Sequence, residues 1–277
     1  MDADFGLSAV PPRLVMMTTL AEKRERQFAH DRARDEHHAR RALLLSPRRS
    51  ADELQSLAIE GAAALGEADA DTILAWVADT FGYRTAVACS MADAVLPHLV
   101  QRHLPWADTL FLNTGYHFPE TLGTRDAVES QMELTIVDVL PKLTVAEQDA
   151  RDGRDLFARE PGRCCALRKV EPLRATLAGY EAWITGMRRE DAPTRANTPL
   201  IAWDDTNGLV KINPLAAWTF DQLIGYASEH DVIINPLMHD GYPSIGCAPC
   251  TKRVAPGEDP RSGRWAGLDK TECGLHT

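Results

Sequence analysis

The sequence predicts an α/β fold: a parallel sheet wrapped by helices, followed by a C-terminal tail that carries a cysteine. Short apolar runs rich in small and branched residues, "RTAVACS", "DTLFLN" and "LTIVDVL", alternate with longer helical patterns. That alternation argues for βαβ units and a sheet covered on both faces. The chain has 277 residues, 44% hydrophobic and 25% charged, enough to bury a substantial core. The ending "KTECGLHT" places one thiol among charged residues, where a terminus contributes little to packing.

Residues 1–49 read as a charged N-terminal extension, either a solvated helix or a disordered arm. "EKRERQFAHDRARDEHHARR" is dense in both charge signs and nearly free of large apolar residues. His30, His37 and His38 have no closed ligand set beside them. Order is expected from Ser50, where "SADE" forms a capping box with Ser50 as N-cap and Glu53 reaching back. A helix over "DTILAWVADTF" stops at Gly82, and "RTAVACS" is the first strand. "DAVLPHLVQRHL" is a helix that tolerates Pro97 near its first turn. "DTLFLN" is a strand, "PETLGTRDAVESQ" a helix opened by Pro119, and "LTIVDVL" a strand. "EAWITG" and "LVKINP" are later strands, and "TFDQLIGYASEHD" a later helix. Residues 50–250 thus form the main domain and 251–277 the tail.

No apolar run is long enough to span a membrane. The N-terminus lacks a basic region followed by an apolar stretch, so a secretory signal is not expected and the cytoplasm is the expected compartment. The formal net charge is −10. Residues 50–150 hold 16 acidic against 4 basic side chains, which disfavours an extended nucleic-acid surface. Cationic residues gather at "LRKV", "MRRE", "TRAN" and "RSGR", which suits a small, highly charged anion. In open parallel sheets ligands sit beyond the carboxyl ends of the strands. "CSMAD" and "NTGYHFPET" occupy that position, and both run into helix N-termini that favour phosphate or sulfate.

Six cysteines in a reducing compartment point to metal or catalysis before disulfides. Cys164 and Cys165 are adjacent, and Cys247 and Cys250 form a C-x-x-C. The set admits a 4Fe–4S cluster, a zinc site or redox thiols. Adjacency favours the cluster, because each thiolate binds a different iron and neighbouring side chains need not meet at one atom. Cys89, in the first strand, reads as a small core hydrophobe. Cys273 has Lys270 and His276 three residues away and Arg261 and Arg264 upstream, and nearby cations favour a thiolate.

These residues resemble the assimilatory adenylyl-sulfate reductases of the phosphoadenylyl-sulfate reductase family. The resemblance spans roughly residues 50–277 and rests on "CC" followed by "LRKVEPL", "WITGMRR", "VKINPL", "GYPSIGCAPCT", "RSGRWAG" and "KTECGLH". It implies an adenine-nucleotide α-hydrolase-like fold and reduction of adenylyl sulfate to sulfite and AMP, in sulfate assimilation, with thioredoxin as donor. It makes Cys273 the nucleophile that carries an S-sulfocysteine intermediate, with Lys169 and His276 beside it. It implies a 4Fe–4S cluster on Cys164, Cys165, Cys247 and Cys250. Substrate contacts carried over are Ser90, Asn113, Thr114 and Gly115, then Arg188 or Arg189, Arg195, Arg261 and Arg264. "CSMAD" is shorter than the wider fold's "SGGxDS" loop, and Asn113 stands where many relatives carry aspartate. Relatives that take the 3′-phosphorylated nucleotide usually lack the four cluster cysteines, which favours adenylyl sulfate over that form or dual use. A zinc-stabilised binding module and an adenylating ligase are the competing readings. The ligase would want the intact "SGGxDS" loop and has no use for Cys273. No oligomeric state follows from the sequence.

Overall fold

The computed structural model describes residues 20–44, 47–268 and 270–275. Six strands form one sheet: β1 (Thr85–Ala88), β2 (Asp108–Leu112), β3 (Thr135–Val139), β4 (Ala182–Thr185), β5 (Ile201–Asp204) and β6 (Leu209–Ile212). Their order is β3-β2-β1-β4-β6-β5. All neighbours are parallel except β5, which pairs antiparallel with β6. The five strands read from the sequence are all present. The structure adds a sixth, "IAWD", a half-buried edge strand joined to β6 by a tight turn.

The helices pack by their apolar stripes on both faces. On one side α2 (Ala51–Leu65), α3 (Ala70–Phe81), α4 (Val95–Gln101), α5 (Pro119–Gln131) and α10 (Phe220–Glu229) enclose the larger core around Leu54, Ile73, Leu99, Phe111 and Ile184. The Ser50–Glu53 capping box opens α2 in both directions, satisfying backbone donors left free by the first turn. A smaller core of Ala86, Leu110, Val139, Leu173, Leu177, Trp183 and Leu209 covers the other face, under α9 (Glu171–Leu177). Between β3 and α9 run α6 (Val145–Asp152), α7 (Leu156–Arg159) and α8 (Pro161–Cys165), none of them anticipated. From α8 the chain passes through a π-type turn, Ala166–Val170, directly into α9.

The N-terminal extension holds a further helix, α1 (Leu20–Leu44). One face of it meets the sheet domain through histidines: His30 Nε2 lies 2.9 Å from the Met132 carbonyl, and His38 Nε2 lies 2.6 Å from Thr135 Oγ1. Arg49, just before the expected start of order, pairs with buried Glu181 at the foot of β4 (2.9 Å) and donates to the Thr80 carbonyl.

Strands β1 to β3 run outward on one side of β1, and β4 opens the other side. The chain therefore reverses its direction of winding between β1 and β4, whose ends are level, Ala88 being opposite Thr185. A crevice beyond the carboxyl ends at such a reversal is the expected ligand site of an open α/β sheet.

Candidate active site

A cavity of about 350 Å³ lies at that reversal. Its walls come from the β1 loop (Cys89, Ser90, Asp93), the β4 loop (Met187, Arg188), the π-type turn (Lys169), and the tail (Arg261, Arg264, Glu272, Cys273). The β1 loop is held by the segment 233–235. Buried Asn235 donates its amide to the Met91 carbonyl (3.0 Å) and Thr121 Oγ1 (3.2 Å), while its backbone N–H donates to the Ala92 carbonyl. Met91 has a positive φ of 59°, unusual for a non-glycine residue and maintained by this lacing. Cys89 is on the wall as well. Burial pushes its thiol up to about 12, so it is neutral at pH 7, in keeping with a hydrophobe's role.

Seven residues expected at the site do line this cavity: Ser90, Lys169, Arg188, Arg195, Arg261, Arg264 and Cys273. Asn113, Thr114 and Gly115 do not. The reversal falls between β1 and β4, so the loop after β2 is one strand removed and faces another chamber. Asn113 turns to Asp138 (3.4 Å), and Thr114 Oγ1 lies 3.3 Å from Cys247 Sγ. The β2 loop reaches the cavity through His117 instead. Of Arg188 and Arg189, the first lines the cavity, and the second donates to the Thr198 carbonyl (2.9 Å) away from it. His276 lies outside the described residues.

The cations fall into two groups. Arg188 pairs with Asp191 (2.6 Å), and Arg195 and Arg261 pair with Glu272 at 2.9 and 3.2 Å. Lys169 and Arg264 have no carboxylate partner among the described residues. Arg264 instead donates to Ser244 Oγ (3.2 Å) and the Ile245 carbonyl (3.1 Å), and lies over the Trp265 ring. Desolvation pushes Lys169 down, but the sulfurs of Cys247, Cys273 and Cys165 outweigh it and hold the ammonium above its ordinary value. Desolvation and the neighbouring Arg261 lower Arg264 from its ordinary value.

Next to this cavity, Cys164, Cys165, Cys247 and Cys250 line one smaller chamber together with Tyr116, Phe157 and Trp265. Lys169, Cys247 and Trp265 belong to the walls of both. Both Lys169 and its neighbour Arg168 lie in the π-type turn, Lys169 lining both chambers and Arg168 the smaller one. Such turns recur at functional sites. Arg168 is buried and donates to the Thr114 and Leu143 carbonyls and to Gln148 Oε1. Burial, with the neighbouring cysteines, pushes the Cys164 thiol up to about 12 and Cys250 up to about 11. Among the described residues no three His, Cys, Asp or Glu side chains are grouped to hold a metal ion. Those four sulfurs are nonetheless the residues available to a cofactor. Trp265 and Glu272 were not singled out in the sequence; each lies inside a quoted motif, but only the fold shows what it touches.

Residues 84–253 match the phosphoadenosine phosphosulfate reductase domain. An adenosine 5′-phosphosulfate reductase of Rhodococcus opacus is 58% identical, over 81% of this chain and 95% of its own. One from Mycolicibacterium smegmatis is 57% identical with the same coverage. A phosphoadenylyl-sulfate reductase from Candida auris, solved as a phosphate complex, superimposes with a TM-score of 0.58 at 26% identity, covering 76% of this chain and 99% of that one. With a nucleotide-type crevice, a thiol on its wall and matches of this extent, the chain belongs to the phosphoadenosine phosphosulfate reductase family, on its adenosine 5′-phosphosulfate reductase branch.

Proposed function

We propose that the chain reduces adenylyl sulfate to sulfite and AMP, with Cys273 as nucleophile and the dithiol of a thioredoxin as electron donor. One observation carries this reading: Cys273 shares the cavity wall with Lys169 and Arg264, the cations that no carboxylate neutralises among the described residues. The Cys273 thiolate attacks the sulfate sulfur, the bond from that sulfur to the phosphate oxygen breaks, and AMP leaves with the electron pair. A sulfonate remains on Cys273. One thiol of the donor then attacks Cys273 Sγ, sulfite leaves with the pair from the S–S bond, and the second donor thiol releases the resulting mixed disulfide. The dithiol loses the two electrons that sulfur gains.

Attack at sulfur crowds negative charge around the substrate, and fixed cations offset it at no cost of reorganisation. Lys169 and Arg264 are placed for that work. Arg188, over the Phe220 ring and paired to Asp191, is a further guanidinium on the β4 side. Ser90, exposed at the cavity mouth beyond β1, offers a hydroxyl to the phosphate. Asp93 and Glu190 also line the cavity. An extra ribose phosphate would add repulsion there, which supports adenylyl sulfate over its 3′-phosphorylated form.

Cys164, Cys165, Cys247 and Cys250 would hold a 4Fe–4S cluster. Four thiols lining one chamber match the ligand set of such a cluster. When bound, such a cluster supplies a compact charged group beside Lys169. Lys169 itself stays protonated between the thiol chamber and the substrate. Among the described residues no helix is long and apolar enough to cross a membrane. We place the protein in the cytoplasm, where these thiols stay reduced.

The test is trapping. Purified holoprotein incubated with adenylyl sulfate and no reductant should gain one sulfonate on Cys273, seen by peptide mass spectrometry; an adduct on another cysteine refutes the assignment. Iron and acid-labile sulfide in equal amounts, with a brown colour, support the cluster, whereas stoichiometric zinc in a colourless protein supports the binding-module reading.

A further inference from the structure

Arg195 and Arg261, expected to grip substrate oxyanions, grip the protein's own carboxylate. Arg195 Nε donates to Glu272 Oε1 (3.0 Å) and its Nη2 to Oε2 (2.9 Å), a two-point contact. Arg261 Nη2 donates to Oε2 (3.2 Å) and to the Thr271 carbonyl (3.0 Å), and Thr194 Oγ1 donates to Oε1 (3.3 Å). Paired guanidinium–carboxylate contacts of this form fix orientation as well as adding energy. Glu272 immediately precedes the nucleophile. On its other side Gly274 takes a positive φ of 81°, and Leu275 packs against the smaller core under α9. Cys273 is thus held from both sides, by charge before it and by apolar contact after it.

We infer that Glu272 is a positioning residue for the reaction: its carboxylate, clamped by Arg195, Arg261 and Thr194, seats the tail so that Cys273 faces the cavity. The inference rests on the proposed role of Cys273. Burial pushes the Glu272 carboxyl up, but the hydrogen bonds and charge of Arg195, with Arg261, hold it below its ordinary value, so the clamp is charged at neutral pH. Lys169 and Arg264 are left to face the substrate's anion. The clamp also explains how one tail can perform two half-reactions. Attack needs Cys273 seated, whereas the thiol donor must reach a modified sulfur and gains nothing from the clamp.

The experiment compares wild type, Glu272→Gln and Glu272→Asp as full-length holoproteins. Formation of the Cys273 sulfonate is followed by mass spectrometry against adenylyl sulfate concentration, without reductant. Release of sulfite from the preformed adduct by dithiothreitol and labelling of Cys273 by iodoacetamide without nucleotide are measured in parallel. For Glu272→Gln we expect adduct formation at saturation to slow by about 10²-fold, the cost of a nucleophile misplaced by about an ångström. The half-saturating concentration should stay within about twofold, release should not slow, and labelling should accelerate. Glu272→Asp, which keeps the charge, should recover part of the rate. A wild-type adduct rate in Glu272→Gln overturns the inference, as does an altered half-saturating concentration at an unchanged rate, because Glu272 would then act on nucleotide binding and not on the seating of Cys273. If wild type forms no adduct on Cys273, the reading of its chemistry fails instead, and the labelling rates still decide whether Glu272 seats the tail.

Discussion

Replacing Gly246 by alanine should cripple the enzyme while leaving its fold in place. A Cβ at position 246 would overlap the Arg264 guanidinium and lie 2.9 Å from its Nε, well inside contact distance. The obstacle is a side-chain end, so it can move, but not without loss. Arg264 is held by Ser244 Oγ at 3.2 Å, the Ile245 carbonyl at 3.1 Å and the Trp265 ring at 4.7 Å. Displacement gives up at least one hydrogen bond from a charged donor, worth about 1.5–3 kcal/mol. If that energy orients the cation toward the transition state, kcat/KM falls by about 10- to 150-fold, at 1.36 kcal/mol per decade. The assay is sulfite release under kcat/KM conditions, with thermal unfolding in parallel. Gly225→Ala in α10 is the control, since a Cβ there meets nothing within 4 Å. It should keep activity and gain about 0.5–1 kcal/mol of stability from a better helix former. Wild-type kcat/KM in Gly246→Ala would refute the claim that Arg264 works from this position.

Further outcomes follow from the same geometry. Asn235→Ala removes three side-chain hydrogen bonds, one to the β1 loop at the Met91 carbonyl, one to Thr121 in α5 and one accepted from the Leu237 N–H; stability should fall by about 2–3 kcal/mol in denaturant titration, with weaker nucleotide binding by calorimetry. Desolvation raises the Asp93 carboxyl above its ordinary value despite the Val95 N–H and Arg188. Its favourable contribution is complete below the unfolded value and lost as pH rises through the raised one. Asp93→Asn, which can still accept from the Val95 N–H (3.0 Å), should therefore unfold at a higher temperature than wild type at pH 7, with the gap closing toward pH 4. A lower melting temperature at pH 7 would mean that pairing to Arg188 dominates. Lys169→Ala should keep the iron and visible absorbance of the holoprotein while forming no Cys273 sulfonate; bleached protein would show that Lys169 serves the thiol chamber first.

The central strands were legible because each is a short, mostly buried run between turn residues, as in "AWIT" with all four residues buried. β5 escaped because "IAWD" holds one branched residue and a polar end, so no branched apolar run marks it as "TIV" marks the comparably exposed β3, although "TNG" before β6 is a turn signal. The helices from 145 to 177 were passed over even though Thr144 and Glu147 form a capping box as plain as that of Ser50. Cysteine spacing and the cationic motifs located the cations and thiols of the cavity wall, Lys169, Arg188, Arg195, Arg261, Arg264, Cys247 and Cys273, but not its apolar lining. What the sequence could not order was the topology. Only the β3-β2-β1-β4 arrangement decides that the loop after β4, not the one after β2, faces Ser90. Glu272 shows the other limit, since its partners lie 77 and 11 residues away and no local pattern joins them.

Lys169, Cys247 and Trp265 stand in the partition between the two chambers. A partition with two faces ties their histories together. Neither room can be remodelled alone, because a change that suits sulfur on one side redraws the floor beneath the nucleotide on the other. A descendant that dispensed with the four thiols would have to find new support for its lysine before it could keep its chemistry.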